Sequence, residues 1–319
     1  MSNKKLKFDL TVDSSALLCP NAEQFYNTAY ISSPSLPNNF RMLPDVKYKE
    51  DIANVAFTQV LTASTCTWAA SPQTLATVEV AVKAVSAMQE MCRFTLETTF
   101  LSKQMAKGSN GDFTVASFMN YYWQEISNKI SAEIESIRWV GDTDTTGTAS
   151  GSTYTGNNSY RTLVDGYEKL LAANASVIDV TATTITSSNV VAEITKVVNA
   201  IPAALKGRTK ELRIYMSPTI ALQYKIATAS QNTVNYITSP LNLSFLDIPI
   251  VECPGMTSTK MVTTLPSNLV YAFDGIDDLA QLETIDLSKS VATPVLRTRV
   301  DLKLGFQILN PAEIVYYGA

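Results

Sequence analysis

Two groups of residues have types and spacing that could support metal chemistry. Asp274, Asp277 and Asp278 bunch just after the apolar run that ends at Phe273. Carboxylates so placed could hold a divalent cation in a metal-dependent α/β enzyme. The same placement suits acidic residues that close a strand into a turn, which is the simpler assignment. Asp142, Asp144 and Gly147 resemble the start of a calcium loop, but the twelfth position is Thr153, where such a loop needs a bidentate Glu. Lys4, Lys5 and Lys7 could touch nucleic acid electrostatically, although three lysines near a terminus ordinarily just sit in solvent.

Other chemistry is excluded more firmly. The chain contains no histidine, so it has no Ser-His-Asp or Cys-His nucleophile, no imidazole base and no histidine-liganded zinc. Leu205-Lys-Gly-Arg-Thr-Lys210 lacks the first glycine of a phosphate-binding loop, and neither GxGxxG nor GxSxG occurs. Cys19, Cys66, Cys92 and Cys253 form no CxxC pair, a spacing wrong for zinc and too sparse for a disulfide scaffold; they read as reduced, mostly packed thiols. The sequence therefore assigns no catalytic, cofactor-binding or metal-ligating residue, and catalysis is not expected.

Composition points toward packing. Of 319 residues 46% are hydrophobic and only 17% charged, against about 25% charged in an ordinary soluble protein. So little solvating charge suggests a surface covered by other copies or partners. A net charge of −4 argues against wholesale coating of nucleic acid, which needs concentrated Lys and Arg. No stretch reaches 18 uncharged apolar residues, so neither export nor membrane spanning is expected.

The elements that would position these residues follow in order. No convincing period runs through residues 1–46, which are punctuated by Pro20, Pro34, Pro37 and Pro44 and carry Phe25, Tyr26 and Tyr30. They read as an extended arm or, more blandly, a partly ordered leader. Val55–Leu61 and the alternating Val78, Val80 and Val82 predict the strands of a long hairpin. Its tip holds Trp68 and Pro72, with no charge from Val55 to Val78, which suggests a loop that docks on something; for Trp68 itself, interface and self-packing remain equally open. Ala87, Met91, Thr95 and Phe100 predict a helix over Ser86–Gln104. Met119, Tyr122, Trp123, Ile126, Ile130, Ile134 and Ile137 predict a long helix from an Asp112 cap, with Glu125 and Lys129 as an i, i+4 pair. Residues 141–158, rich in Thr, Gly and Ser, read as a surface loop.

Beyond it a helix opens at Asp165-Gly166, and element types alternate: a helix over Asn189–Leu205, a strand over Glu211–Met216, a helix over Ser217–Thr228. Strands follow over Phe245–Val251, Lys260–Thr264 and Leu269–Phe273, then Leu282–Leu287, Val295–Phe306 and Glu313–Tyr317. The fold class is α+β, with an α/β portion around a central sheet.

Arm, hairpin, long helix, polar loop and mixed domain, in that order, resemble the major capsid proteins of tailed bacteriophages, whose shared fold is named after phage Hong Kong 97. Ser86–Leu101 is similar to the segment after the extended E-loop. Phe113–Trp139 is similar to the spine helix, ending in Trp139, Gly141 and Asp142. Asp165-Gly166-Tyr167 with Lys169-Leu170-Leu171 is similar to the opening of the axial A-domain, and Arg297–Gly305 with Asn310–Tyr316 to the C-terminal strands. The resemblance implies an arm over 1–46, an E-loop over 47–77 and a peripheral P-domain over 78–165 with its spine at about 112–138. It further implies an A-domain over 166–265, returning P-domain strands over 266–305 and a C-terminal strand over 306–319.

By this resemblance the protein is a structural subunit that assembles into hexamers and pentamers of an icosahedral shell around double-stranded DNA, with no sequence-specific grip on that DNA and no membrane contact. Tyr26, Tyr30, Phe57, Trp68 and Pro72 are the candidate contacts between subunits. Met1 leads almost directly into the arm, which implies a separate scaffolding protein; portal and decoration proteins are further partners, with assembly in the host cytoplasm and the virion capsid as destination. No lysine lies between Asp51 and Val82, so a lysine crosslink through the hairpin tip is not expected. The alternatives are an encapsulin-type compartment shell and the metal-dependent enzyme built on Asp274, Asp277 or Asp278.

Overall fold

The structure is a computed structural model in which residues 29–30, 35–36, 38–57, 73–92, 116–144, 156–231, 243–274, 282–287 and 295–318 are described. Two sheets and one long helix organise them.

The first sheet is built on β12 (Val295–Ile308), a 14-residue strand. Its neighbours on one side are β10 (Leu269–Asp274) and β11 (Leu282–Asp286), and on the other β4 (Lys83–Cys92), all antiparallel to it. The short β1 (Arg41–Leu43) adds to β10 in parallel. Even-numbered residues of β12, including Leu296, Val300, Leu302 and Leu304, face the core, while Arg297 and Arg299 face away, the alternation that one buried face imposes. Helix α1 (Ala116–Val140) covers the buried side. Trp123, Ile130, Ile134 and Ile137 are buried at the three- and four-residue steps that the sequence predicts. Its surface ion pair is Lys129 with Glu133 at 3.5 Å, rather than with the expected Glu125.

Two expectations need correction. Residues 86–92, predicted to begin a helix, belong to the strand β4, which pairs with β12 from Lys83↔Leu304 to Cys92↔Val295. Ala87 and Met91 lie four apart, which fits one helical face and also one strand face. Helix-forming Ala, Met, Gln and Glu here yield to ten residues of ladder against β12. Residues 93–104 lie outside the described residues. The arm, too, is not wholly peripheral: Tyr30, Ser35, Leu36 and Phe40 are buried in the subunit's own core, and β1 is a full member of the first sheet.

The hairpin pairs β2 (Lys49–Phe57) with β3 (Gln73–Ala81), in register from Lys49↔Ala81 to Phe57↔Gln73. Only Val82 separates β3 from β4, so the hairpin continues directly into the first sheet.

The second sheet runs β5-β13-β9-β6-β8-β7, with β5 at Ile178–Val180, β6 at Arg213–Met216, β7 at Ser244–Phe245, β8 at Ile248–Glu252, β9 at Met261–Thr264 and β13 at Val315–Tyr317. The C-terminal strand β13 thus returns to lie between β5 and β9. Alternate residues divide between two cores. Tyr215, Val251, Val262 and Tyr316 join α1 and the first sheet, whereas Ile214, Met216, Met261, Val315 and Tyr317 pack with α3 (Val190–Asn199) and α4 (Pro218–Gln231). Burial on both faces explains why these strands read as continuous apolar runs. The strand expected over Phe245–Val251 is instead a tight β7–β8 hairpin turning at Leu246-Asp247, both with positive φ (48° and 64°).

Candidate functional site

The two glycine-containing turns singled out in the sequence meet in space. The amide of Gly141, just past α1, donates to the Ile137 carbonyl at 2.9 Å. The amide of Gly166, just before α2 (Tyr167–Ala173), donates to the Gly141 carbonyl at 2.8 Å. A methyl group on Gly141 would lie 2.2 Å from the Val164 carbonyl oxygen, and one on Gly166 would lie 2.5 Å from that of Ile137. Only residues without a side chain let these backbones approach so closely. This junction joins α1 and the first sheet to the element that leads into the second.

Beside it, Lys169 of α2 reaches three carboxylates: Asp142 at 2.8 Å, Asp165 at 2.8 Å and Asp144 at 3.0 Å. It also donates to the Thr143 hydroxyl at 3.3 Å. Partial burial disfavours the ammonium, but the hydrogen bonds to the three aspartates outweigh it and raise the lysine pKa. For Asp165, partial burial likewise opposes ionisation and is outweighed by bonds from Lys169 and from the Thr143 amide and hydroxyl, so its pKa is lowered. The Asp142–Asp144 pair that resembles a calcium loop in sequence is thus gathered around an ammonium of the chain itself.

The carboxylate of Asp274 has a comparable fate. Lys303 lies 2.6 Å from one of its oxygens and Lys47 lies 3.0 Å from the other, and the Tyr30 hydroxyl donates to its backbone carbonyl at 2.6 Å. Burial alone would raise this pKa; the two lysines lower it. Asp274 is accordingly engaged as a structural anion between β10, β12 and the segment before β2, while Asp277 and Asp278 lie outside the described residues.

Where the arm enters the core, a buried polar group forms that the sequence did not signal. Ser35 donates to both Glu135 oxygens at 2.9 Å, and Glu135 pairs with Arg138, whose side chain is 0% exposed. The guanidinium also packs over Phe40 and Tyr271, 5.2 and 4.9 Å from the ring centroids. Phe40, Trp139, Tyr167 and Tyr215 form a ring cluster around it, with centroids 5.4–6.0 Å apart. The arm, α1, α2 and both sheets converge here.

Of the expected contacts between subunits, Tyr30 is 1% exposed and stacks on Phe273 at 5.0 Å inside its own chain; its side chain serves the subunit core. Phe57 ends β2, opposite Gln73. Tyr26, Trp68 and Pro72 lie outside the described residues. Cys253 is buried and free, with its thiol pKa pushed up by burial, and Cys92 is exposed and free. Among the described residues, no helix is long and apolar enough to cross a membrane.

No protein-family model matches this sequence. No curated protein matches it either. Solved structures do match over most of the chain. A subunit of the satellite phage P4 procapsid, a structure that includes the size determination protein, superposes with a TM-score of 0.56 at 13% identity, covering 92% of this chain and 98% of that one. The capsid of an empty GTA particle gives 0.55 at 10% identity, with 89% of each chain covered. A virus-like particle from Pyrococcus furiosus gives 0.51 at 9% identity, over 92% of this chain and 96% of that one. The chain shares its fold with these capsid and virus-like-particle subunits.

Proposed function

We propose that this protein is a major capsid protein, a structural and non-catalytic subunit of an icosahedral shell that encloses double-stranded DNA. The observation that carries the reading is the near end-to-end likeness to the P4 procapsid subunit, which spans 92% of this chain and 98% of that one. In this reading the β2–β3 hairpin is the E-loop, α1 the spine helix, the first sheet the P-domain and the second sheet with α3 and α4 the A-domain. Low charge and an uncharged hairpin tip suit a surface that neighbours cover, and repeated head-to-tail contacts close into rings of five and six. A scaffolding protein, a portal and decoration proteins would be its partners during assembly in the host cytoplasm.

Electron microscopy of the purified chain, with and without a candidate scaffolding protein from the same genome, tests the reading. Shells, tubes or rings of five and six are expected; a monodisperse monomer under both conditions would overturn it.

A further inference from the structure

The chain touches one dipeptide twice on its way into the hairpin. Tyr30 stacks on Phe273 with ring centroids 5.0 Å apart, and its hydroxyl donates to the Asp274 carbonyl at 2.6 Å. Further along, Val46 donates its amide to the Phe273 carbonyl at 3.3 Å, and Lys47 reaches the Asp274 carboxylate at 3.0 Å. Between these two points Ser35 and Phe40 are buried in the core and β1 runs beside β10. The chain from Tyr30 to Lys47 is thus a strap with both ends fastened to Phe273-Asp274, the last two residues of β10. Lys49, two positions on, opens β2.

Charge balance alone does not require the second lysine. Asp274 is 4% exposed, so its carboxylate needs a cation. Lys303, directly opposite it in the β10–β12 ladder, already supplies one at 2.6 Å. The Lys47 side chain is 66% exposed, and an ammonium so placed loses little by turning to solvent. What its bond adds is a tie between the hairpin base and the first sheet. The residue it grips is held from the arm side as well, through the Tyr30 hydroxyl on the Asp274 carbonyl. Where that carboxylate points therefore depends on Tyr30.

We infer that Phe273-Asp274 is a buckle that couples the arm to the hairpin: withdrawing Tyr30 loosens the hairpin base, and releasing Lys47 loosens Tyr30. The two directions go together, because a coupling free energy between two sites has a single value. The hairpin itself persists when the buckle opens, since β2 and β3 stay paired along their length. Its β3 side runs on through Val82 into β4, so only the β2 side of the base is released. Val46, Ile52, Val80 and Val82, packed with Val270 and Ala272, limit how far that side moves. The coupling is a property of the single subunit and holds whether or not the hairpin builds a shell.

Amide hydrogen exchange on the unassembled full-length subunit tests this. Tyr30→Phe keeps a ring against Phe273 and removes only the hydroxyl. The Val46 amide should then exchange at least about fivefold faster, the scale of one lost hydrogen bond. Lys47→Met should accelerate it similarly. In the Tyr30→Phe/Lys47→Met variant the two effects should not multiply, because either change alone opens the same buckle. The cross-strand amides of β2 and β3, and those of β12 bonded to β10, should keep their native rates throughout. An unchanged Val46 rate in Tyr30→Phe would overturn the inference, as would a double variant whose acceleration equals the product of the two singles. Equal acceleration across β12 would also overturn it, by showing a general loss of stability in place of a local coupling.

Discussion

Gly166 donates its amide to the carbonyl of Gly141 across 2.8 Å, locking the end of α1 to the start of α2. Gly141→Ala would press a methyl group against the Val164 and Ile137 carbonyls, at 2.2 and 2.5 Å. Chemical denaturation should show a loss of about 3 kcal/mol or more, typical of severe overpacking against backbone. Gly207→Ala is the matched control, since nothing lies within 4 Å of its added methyl, and it should change stability by under about 1 kcal/mol.

Removing one member of the buried Glu135–Arg138 pair leaves the other charge stranded among Phe40, Tyr271 and the core. Glu135→Gln or Arg138→Met should each cost about 3–5 kcal/mol. The double variant should cost less than the sum of the two, and urea titration of all four proteins measures that coupling. Strict additivity would mean that the two side chains act independently.

Lys169→Met leaves Asp142, Asp144 and Asp165 without their shared ammonium. In the native protein the lowered pKa of Asp165 contributes stability above roughly pH 4, the ordinary carboxylate value, and this is lost as pH falls through its lower folded value. The raised pKa of Lys169 acts at the other end: its contribution is present throughout neutral pH and fades only as pH rises past the ordinary lysine range. The variant should therefore melt well below the native protein at pH 7. The difference should narrow toward pH 3, where protonation relieves the repulsion among the carboxylates. Melting curves across that range read it directly.

Leu246 sits in the β7–β8 turn with φ 48° and a side chain 67% exposed. A two-residue turn with both φ values positive favours Asn or Gly, and Leu is strained there. Leu246→Asn should raise stability by about 0.5–1 kcal/mol, measured by thermal unfolding, because little buried contact is lost.

Deleting residues 62–74 removes the hairpin tip and the first two residues of β3. The subunit should keep its circular dichroism spectrum and melting transition but fail to build stable shells in the microscope. Normal particles from this deletion would refute the assignment of the hairpin to assembly, and Trp68→Ala should weaken assembly more than it lowers the melting temperature.

The legible parts of the fold are those whose pattern admits one period. The isoleucines of α1 recur only as a helix does, and Val78, Val80 and Val82 alternate only as a strand does. Residues 86–92 admit both periods, because Ala87 and Met91 fit one helical face and one strand face alike, and the deciding partner, β12, lies more than 200 residues away. The fates of Asp142, Asp144 and Asp274 were hidden for a related reason. Each is neutralised by a lysine whose distance in sequence, from 25 residues for Asp144–Lys169 to 227 for Lys47–Asp274, carries no local signal. Tyr30 was placed outside because the proline-rich context around it looks extended; its burial depends on Phe273 and Asp274, which no local pattern links to it.

The unbroken path from β3 through Val82 into β4 has a mechanical consequence. A nine-residue hairpin is a lever about 30 Å long, and its fulcrum has no flexible linker. A sideways push on its far end must arrive at β12 as torque, twisting the sheet under α1 like a torsion spring. Whatever grips the hairpin thereby also senses, and can bias, the pitch of the strands at the centre of the subunit.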